Sequence, residues 1–144
     1  MELLIVSGLS GAGKSVAMNA LEDIGFFCID NVPAGLLPSI TAFSEAGDSQ
    51  LERVALSMDV RGCHTSEQIE QALHQLDEQG IEYEILFIDA PDDVLMRRYS
   101  ETRRRHPMSI SDGLSTREAF RREREILQPL KDRADYTINT GLLS

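Results

Sequence analysis

The sequence has only two cysteines, Cys28 and Cys63, in no CxxC pair and near no cluster with metal-ligand spacing. A disulfide framework and a thiolate metal site are excluded, and both thiols are expected to be reduced, small apolar side chains. No apolar run approaches the ~18 residues of a membrane helix. The opening Glu2-Leu3-Leu4-Ile5-Val6 has neither the basic flank nor the apolar length of a signal peptide, so a cytoplasmic protein is expected. Bases are scarce through most of the chain: residues 1–90 hold 15 acids against Lys14, Arg53 and Arg61, a net of −12. Residues 91–144 hold 9 acids and 11 bases, all 11 between Arg97 and Arg133. A general nucleic-acid binder would carry a dominant basic stripe. An acidic body with one arginine-rich region suits a protein that meets a small polyanion at one place.

Repeats, low-complexity tracts and linkers are also missing. The 144 residues, 42% hydrophobic and 26% charged, fit one compact domain with a sizeable core. Extended and helical patterns alternate along it. Leu3–Ser7 reads as a buried strand, and Ser15–Ile24 as a helix stopped by Gly25. Phe26–Asp30 is strand-like and ends at the turn signal Asn31-Val32-Pro33. Residues 34–46 are a weak helix, and Arg53–Asp59 is a strand. Thr65 and Gln68 form a capping box before Ile69, Ala72, Leu73 and Leu76. Glu84–Ala90 is a strand, and Pro91, Asp92 and Asp93 open the next helix. His106–Gly113 is expected as a loop. Ser115 and Glu118 form another capping box before Phe120, Ile126, Leu127 and Leu130, and Tyr136–Asn139 is a short last strand. Such alternation predicts an α/β fold, with five parallel strands flanked by helices on both faces. No closing helix follows the fifth strand, so the chain is expected to be one domain of a longer protein.

Gly8-Leu9-Ser10-Gly11-Ala12-Gly13-Lys14-Ser15 matches G-x-x-x-x-G-K-[ST] in full, between a predicted buried strand and an amphipathic helix. Glycines let successive N–H groups turn toward a phosphate, and the helix N-terminus adds partial positive charge. Lys14 would reach the β- and γ-phosphates, and the Ser15 hydroxyl would ligate Mg²⁺. At average residue usage the four fixed positions arise by chance in roughly one chain in two hundred of this length, so the match is read as a phosphate site. Three predicted strands end in aspartate: Asp30, Asp59 and Asp89. Ligands bind at that edge of a parallel sheet, so each is a candidate for the metal. Asp59 ranks first because Arg61 follows it and could pair with a phosphate or carboxylate. Asp89, before Pro91, could simply cap a helix. Arg97, Arg98, Arg103, Arg104 and Arg105 allow two readings: a solvated helix face shared with Glu101, or a lid whose arginines close over transferring phosphate.

Beyond the motif, the stretches IVSGLSGAGKSVAMNALEDIGFFCIDNVP, SMDVR, LFIDAPDDVLMRRYSETRRRHP and LKDRADYTINT together resemble the RapZ/YvcJ family of bacterial P-loop proteins over nearly the whole chain. The resemblance implies a kinase-like P-loop NTPase fold in three layers, and a protein that binds and hydrolyses both ATP and GTP. It assigns ATP to Gly8 through Ser15, and GTP to Asp59, Val60, Arg61 and Gly62. With the motif reading, Lys14 and Asp59 become the catalytic candidates, and Ser15 and Asp59 the Mg²⁺ candidates. The family has a further C-terminal domain, which carries RNA binding in its RNase adapter members, so RNA or a protein partner is expected to involve that half. Two other readings stand beside slow NTP hydrolysis: a small-molecule kinase whose acceptor lies near Asp30 and Asn31, and a nucleotide-switched binding module. Oligomeric state is left open.

Overall fold

The structure is a computed structural model and describes residues 2–9, 11–40, 52–61, 63, 65–102, 108 and 115–142. In chain order its elements are β1 (Glu2–Gly8), α1 (Lys14–Asp23), β2 (Phe27–Ile29), a 3-10 turn (Ala34–Leu36), β3 (Arg53–Met58), α2 (Ser66–Glu78), β4 (Glu84–Asp89), α3 (Asp92–Thr102), α4 (Thr116–Asp132), β5 (Tyr136–Asn139) and a second 3-10 turn (Thr140–Leu142). Boundaries differ from expectation by a residue or so. Strand β1 gains Glu2 and Gly8, while β2 loses Phe26 and Asp30, and α1 starts at Lys14 and leaves the helix through Gly25. Of the weak helix at 34–46, the 3-10 turn and helical residues 37–40 are seen, and 41–46 lie outside the described residues. Most of the expected loop at 106–113 also lies outside them. Met108, described within it, is helical and buried, so that stretch is not wholly a loop.

The five strands are parallel in the order β2-β3-β1-β4-β5. β1 therefore lies at the centre, with Ser7 opposite Met58 of β3 and Gly8 opposite Ile88 of β4. Alternate residues feed two cores. Leu3, Ile5, Leu56, Ile85 and Phe87 pack with Leu73 and Leu76 of α2 and Leu127 and Leu130 of α4. Val6, Ala55 and Ile88 pack on the opposite face with Met18 of α1 and Leu95 of α3. Burial on both faces is why β1 and β4 read as continuous apolar runs rather than alternating ones.

Helix ends follow local chemistry. Thr65 and Gln68 form the capping box in both directions, side chain to backbone and back. At the start of α4 only one half of the expected capping box is seen, the Ser115 hydroxyl accepting from the Glu118 N–H. Pro129 sits inside the last turns of α4, a break in helix chemistry that the apolar spacing hid. Right-handed βαβ connections place all strand C-termini along one edge, and that edge carries the glycine-rich loop.

Candidate nucleotide site

Gly8 ends β1 against the backbone of β4, where a Cβ would stand 2.2 Å from the Ile88 carbonyl oxygen. No other residue fits there. Gly13 caps α1 with φ +113, and α1 has no acid in its first turn and no side-chain cap. Orphan N–H groups and the positive end of the helix dipole are thus left for an anion. Ser15 stands exposed in that first turn. Ser10 lies outside the described residues, as does Gly62.

The Lys14 ammonium donates to the Gly8 carbonyl at 2.8 Å, folding the side chain back over its own loop. Burial pulls its pKa below the ordinary lysine value, with a smaller push from Arg61, against the opposing charges of Glu123 and Asp59. Asp59 follows β3 directly and is 4% exposed. It comes to Lys14 because β3 lies beside β1. Its carboxylate accepts the Arg61 backbone N–H at 2.9 Å, Nε at 3.1 Å and Nη2 at 2.7 Å. Burial alone would raise the Asp59 pKa, but the Arg61 bonds and the Lys14 charge outweigh it and hold it below the usual carboxylate range. The residue is therefore ionised at neutral pH. Val60 is buried, and Arg61 reaches across Asp59 from an exposed position.

The other strand-end aspartates have partners of their own, and Asp89 is committed away from the loop. Asp89 is paired with Arg124 at 3.1 Å and Lys131 at 3.2 Å, both on α4. Arg124 also bonds Asp92 and the Ala90 carbonyl, so this one arginine pins β4 and the start of α3 to α4. Asp30 accepts from the Ser57 hydroxyl at 3.3 Å, and that same oxygen accepts the Asn31 N–H at 2.9 Å.

Two residues of this edge, Glu123 and Thr140, were not singled out from sequence, and a third, Arg98, was weighed only as part of the arginine-rich cluster. Glu123 is fully buried beside Lys14. Its signal was available: it occupies the apolar stripe of α4, between Ala119 and Phe120 on one turn and Ile126 and Leu127 on the next. Arg98, half-buried on α3, donates to the Gly11 carbonyl at 3.0 Å, so its guanidinium meets the glycine-rich loop itself. Thr140 donates to the Ala12 carbonyl and had no signal at all. Arg97 is exposed, and Arg103, Arg104 and Arg105 lie outside the described residues.

The donor set fits a hard cation. Asp59 supplies an ionised carboxylate and Ser15 a hydroxyl, both oxygen ligands. Arg61 donates to both Asp59 oxygens, so a cation there would be met through its water shell rather than directly. An open groove of about 880 Å³ lies at the opposite, N-terminal end of the sheet, rimmed by Glu2, Asp77, Glu82, Glu84 and Asp135. It shares no residue with the glycine-rich loop, and its acids would repel phosphate.

A central strand running into this loop, with a strand-end aspartate from the neighbouring strand, is the kinase-like form of the P-loop NTPase fold. The chain superposes on YorR protein from Bacillus subtilis, solved in complex with phosphorylated GDP, with a TM-score of 0.59 and 13% identity over 99% of this chain and 88% of that one. Shikimate kinase from Bacteroides thetaiotaomicron gives 0.53 and 17% over 96% and 86%. These likenesses concern the fold. The model of the RapZ-like N-terminal domain matches residues 1–144, and the chain belongs to that family. Relatives named nucleotide-binding protein include one from Caldicellulosiruptor saccharolyticus, 44% identical over all of this chain and 49% of its own length. Another, from Agathobacter rectalis, is 48% identical over 99% of this chain and 48% of its own. The chain spans about half the length of the curated relatives it matches.

Proposed function

We propose that this domain binds ATP and GTP with Mg²⁺ at Gly8–Ser15 and slowly hydrolyses the γ-phosphate, as the nucleotide-responsive part of a regulatory protein. One observation carries the reading: β1 and β3 bring the loop lysine, Lys14, beside an acid kept ionised in a buried place, Asp59. The loop N–H groups and the α1 N-terminus take the phosphate chain. Lys14 exchanges the Gly8 carbonyl for the β- and γ-phosphate oxygens. Asp59 and Ser15 would hold Mg²⁺, which would supply charge neutralisation on those oxygens. Arg61 orients Asp59 and stands next to it for the polar edge of a nucleotide, with Val60 and Gly62 in the same segment. The test is phosphate release from MgATP and MgGTP. Turnover that persists in Lys14→Ala would place hydrolysis outside this site.

A second reading, phosphoryl transfer to a small acceptor, has its own support. Ser57 ties Asp30 and Asn31 together at the same edge of the sheet, where their polar groups could hold an acceptor. A kinase would consume nucleotide sharply faster with the right acceptor, whereas phosphate release by an NTPase stays level. Binding of RNA or a protein partner by the whole protein is assigned to polypeptide outside this acidic domain.

A further inference from the structure

We infer that Arg98 and Thr140 are positioning residues for the phosphate loop, holding its outward carbonyls so that the loop keeps the shape a phosphate chain requires. The inference rests on the reading of Gly8–Ser15 as the nucleotide site. A loop that turns N–H groups inward turns carbonyls outward, and those carbonyls need donors. Gly8 receives Lys14, and Leu9 and Gly13 receive the N–H groups of Ala12 and Ala17. The carbonyls of Gly11 and Ala12 are held from far away in the chain. Arg98 of α3 donates Nη1 to Gly11 at 3.0 Å, and the Thr140 hydroxyl, just past β5, donates to Ala12 at 2.6 Å.

The two holders are also joined to each other. Arg98 Nη1 reaches the Thr140 hydroxyl at 3.2 Å, and Nη2 reaches the Thr140 carbonyl at 3.0 Å. A hydroxyl has one proton, and Ala12 at 2.6 Å takes it in preference to the Asp89 carbonyl at 3.3 Å. Its lone pairs then remain for Arg98. The Thr140 methyl closes the other side, 3.8 Å from where a Cβ on Gly13 would stand. α3, β5 and the loop are thus locked by one planar guanidinium and one hydroxyl, an arrangement that a lysine or a valine cannot reproduce.

The test is calorimetric titration of the parent, Thr140→Val, Thr140→Ser and Arg98→Lys with MgATP, MgGTP and magnesium tripolyphosphate, alongside melting curves. We expect Thr140→Val to weaken all three ligands about fivefold and Arg98→Lys by at least as much. Thr140→Ser should restore parental affinity, and melting temperatures should stay within about 3 °C. Parental affinity in Thr140→Val, or a lowered melting temperature with unchanged Kd, overturns the inference. Weakening toward the nucleotides but not tripolyphosphate also overturns it, because both residues would then act on the nucleoside. If the parent binds none of the three, the nucleotide reading itself has failed, and the inference with it.

Discussion

Asp59→Asn separates the charge of this residue from its shape. Asparagine keeps an oxygen for the Arg61 backbone N–H but presents an amide to the guanidinium, losing the pairing at 2.7 Å and 3.1 Å. Hydrogen bonds to charged groups contribute about 1.5–3 kcal/mol. The Arg61 side chain is 59% exposed, so water screens the pair and about 1 kcal/mol is the appropriate figure. For a chain of this length that lowers the melting temperature by about 3–4 °C, a folded protein with a small defect. The functional loss should be larger. Without a carboxylate to hold its water shell, Mg²⁺ should no longer strengthen nucleotide binding, and phosphate release should fall about a hundredfold, comparable to removing one preorganised charge-stabilising group. Titration of both proteins with ATP, with Mg²⁺ and with EDTA, reads this directly. An Asp59→Asn variant with the parental gain in affinity from Mg²⁺ would refute the assignment. The pH dependence has a definite sign: because the folded pKa of Asp59 is depressed, its contribution is present above the unfolded carboxylate value near 4. It is lost as pH falls toward the folded pKa, so the parent and Asp59→Asn melting temperatures should converge in acid.

Lys14→Ala should abolish tight ATP and GTP binding while the domain remains folded, since Lys14 is the half-buried first residue of α1 and lies outside both cores; Mg-ATP binding equal to the parent's would show that the phosphate site is elsewhere. Residues 1–144 should bind RNA weakly or not at all at physiological salt, because residues 1–90 carry −12 and phosphate contacts supply most non-specific affinity; a submicromolar Kd in a gel shift would contradict this. Cys63 is fully buried and its thiol is pushed up to about 11 by burial, so a thiol reagent at pH 8 should modify half-buried Cys28 first and reach Cys63 only on unfolding; mass spectrometry of the labelled peptides decides the order.

Sequence alone determined whatever depends on neighbours along the chain. The phosphate loop is eight consecutive residues, the capping box of α2 spans four, and the cores of β1 and β4 are unbroken apolar runs, so each was legible without a fold. Which strand-end aspartate meets the loop was legible only as a ranking, with Asp59 put ahead of Asp30 and Asp89 by the Arg61 that follows it, because position at the sheet edge is decided only once strands have an order. Tertiary structure put β3 beside β1, which brings Asp59 to Lys14, and turned Asp89 toward Arg124 and Lys131 on α4. Glu123 was half legible, as a carboxylate interrupting an apolar stripe, but its neighbour Lys14 was not. Arg98 and Thr140 lie 87 and 128 residues from the carbonyls they hold. Nothing local marks Thr140, and the arginine cluster does not pick out Arg98 for this contact, since a hydrogen bond between distant residues exists only once packing of α3 and β5 against β4 has brought both ends together.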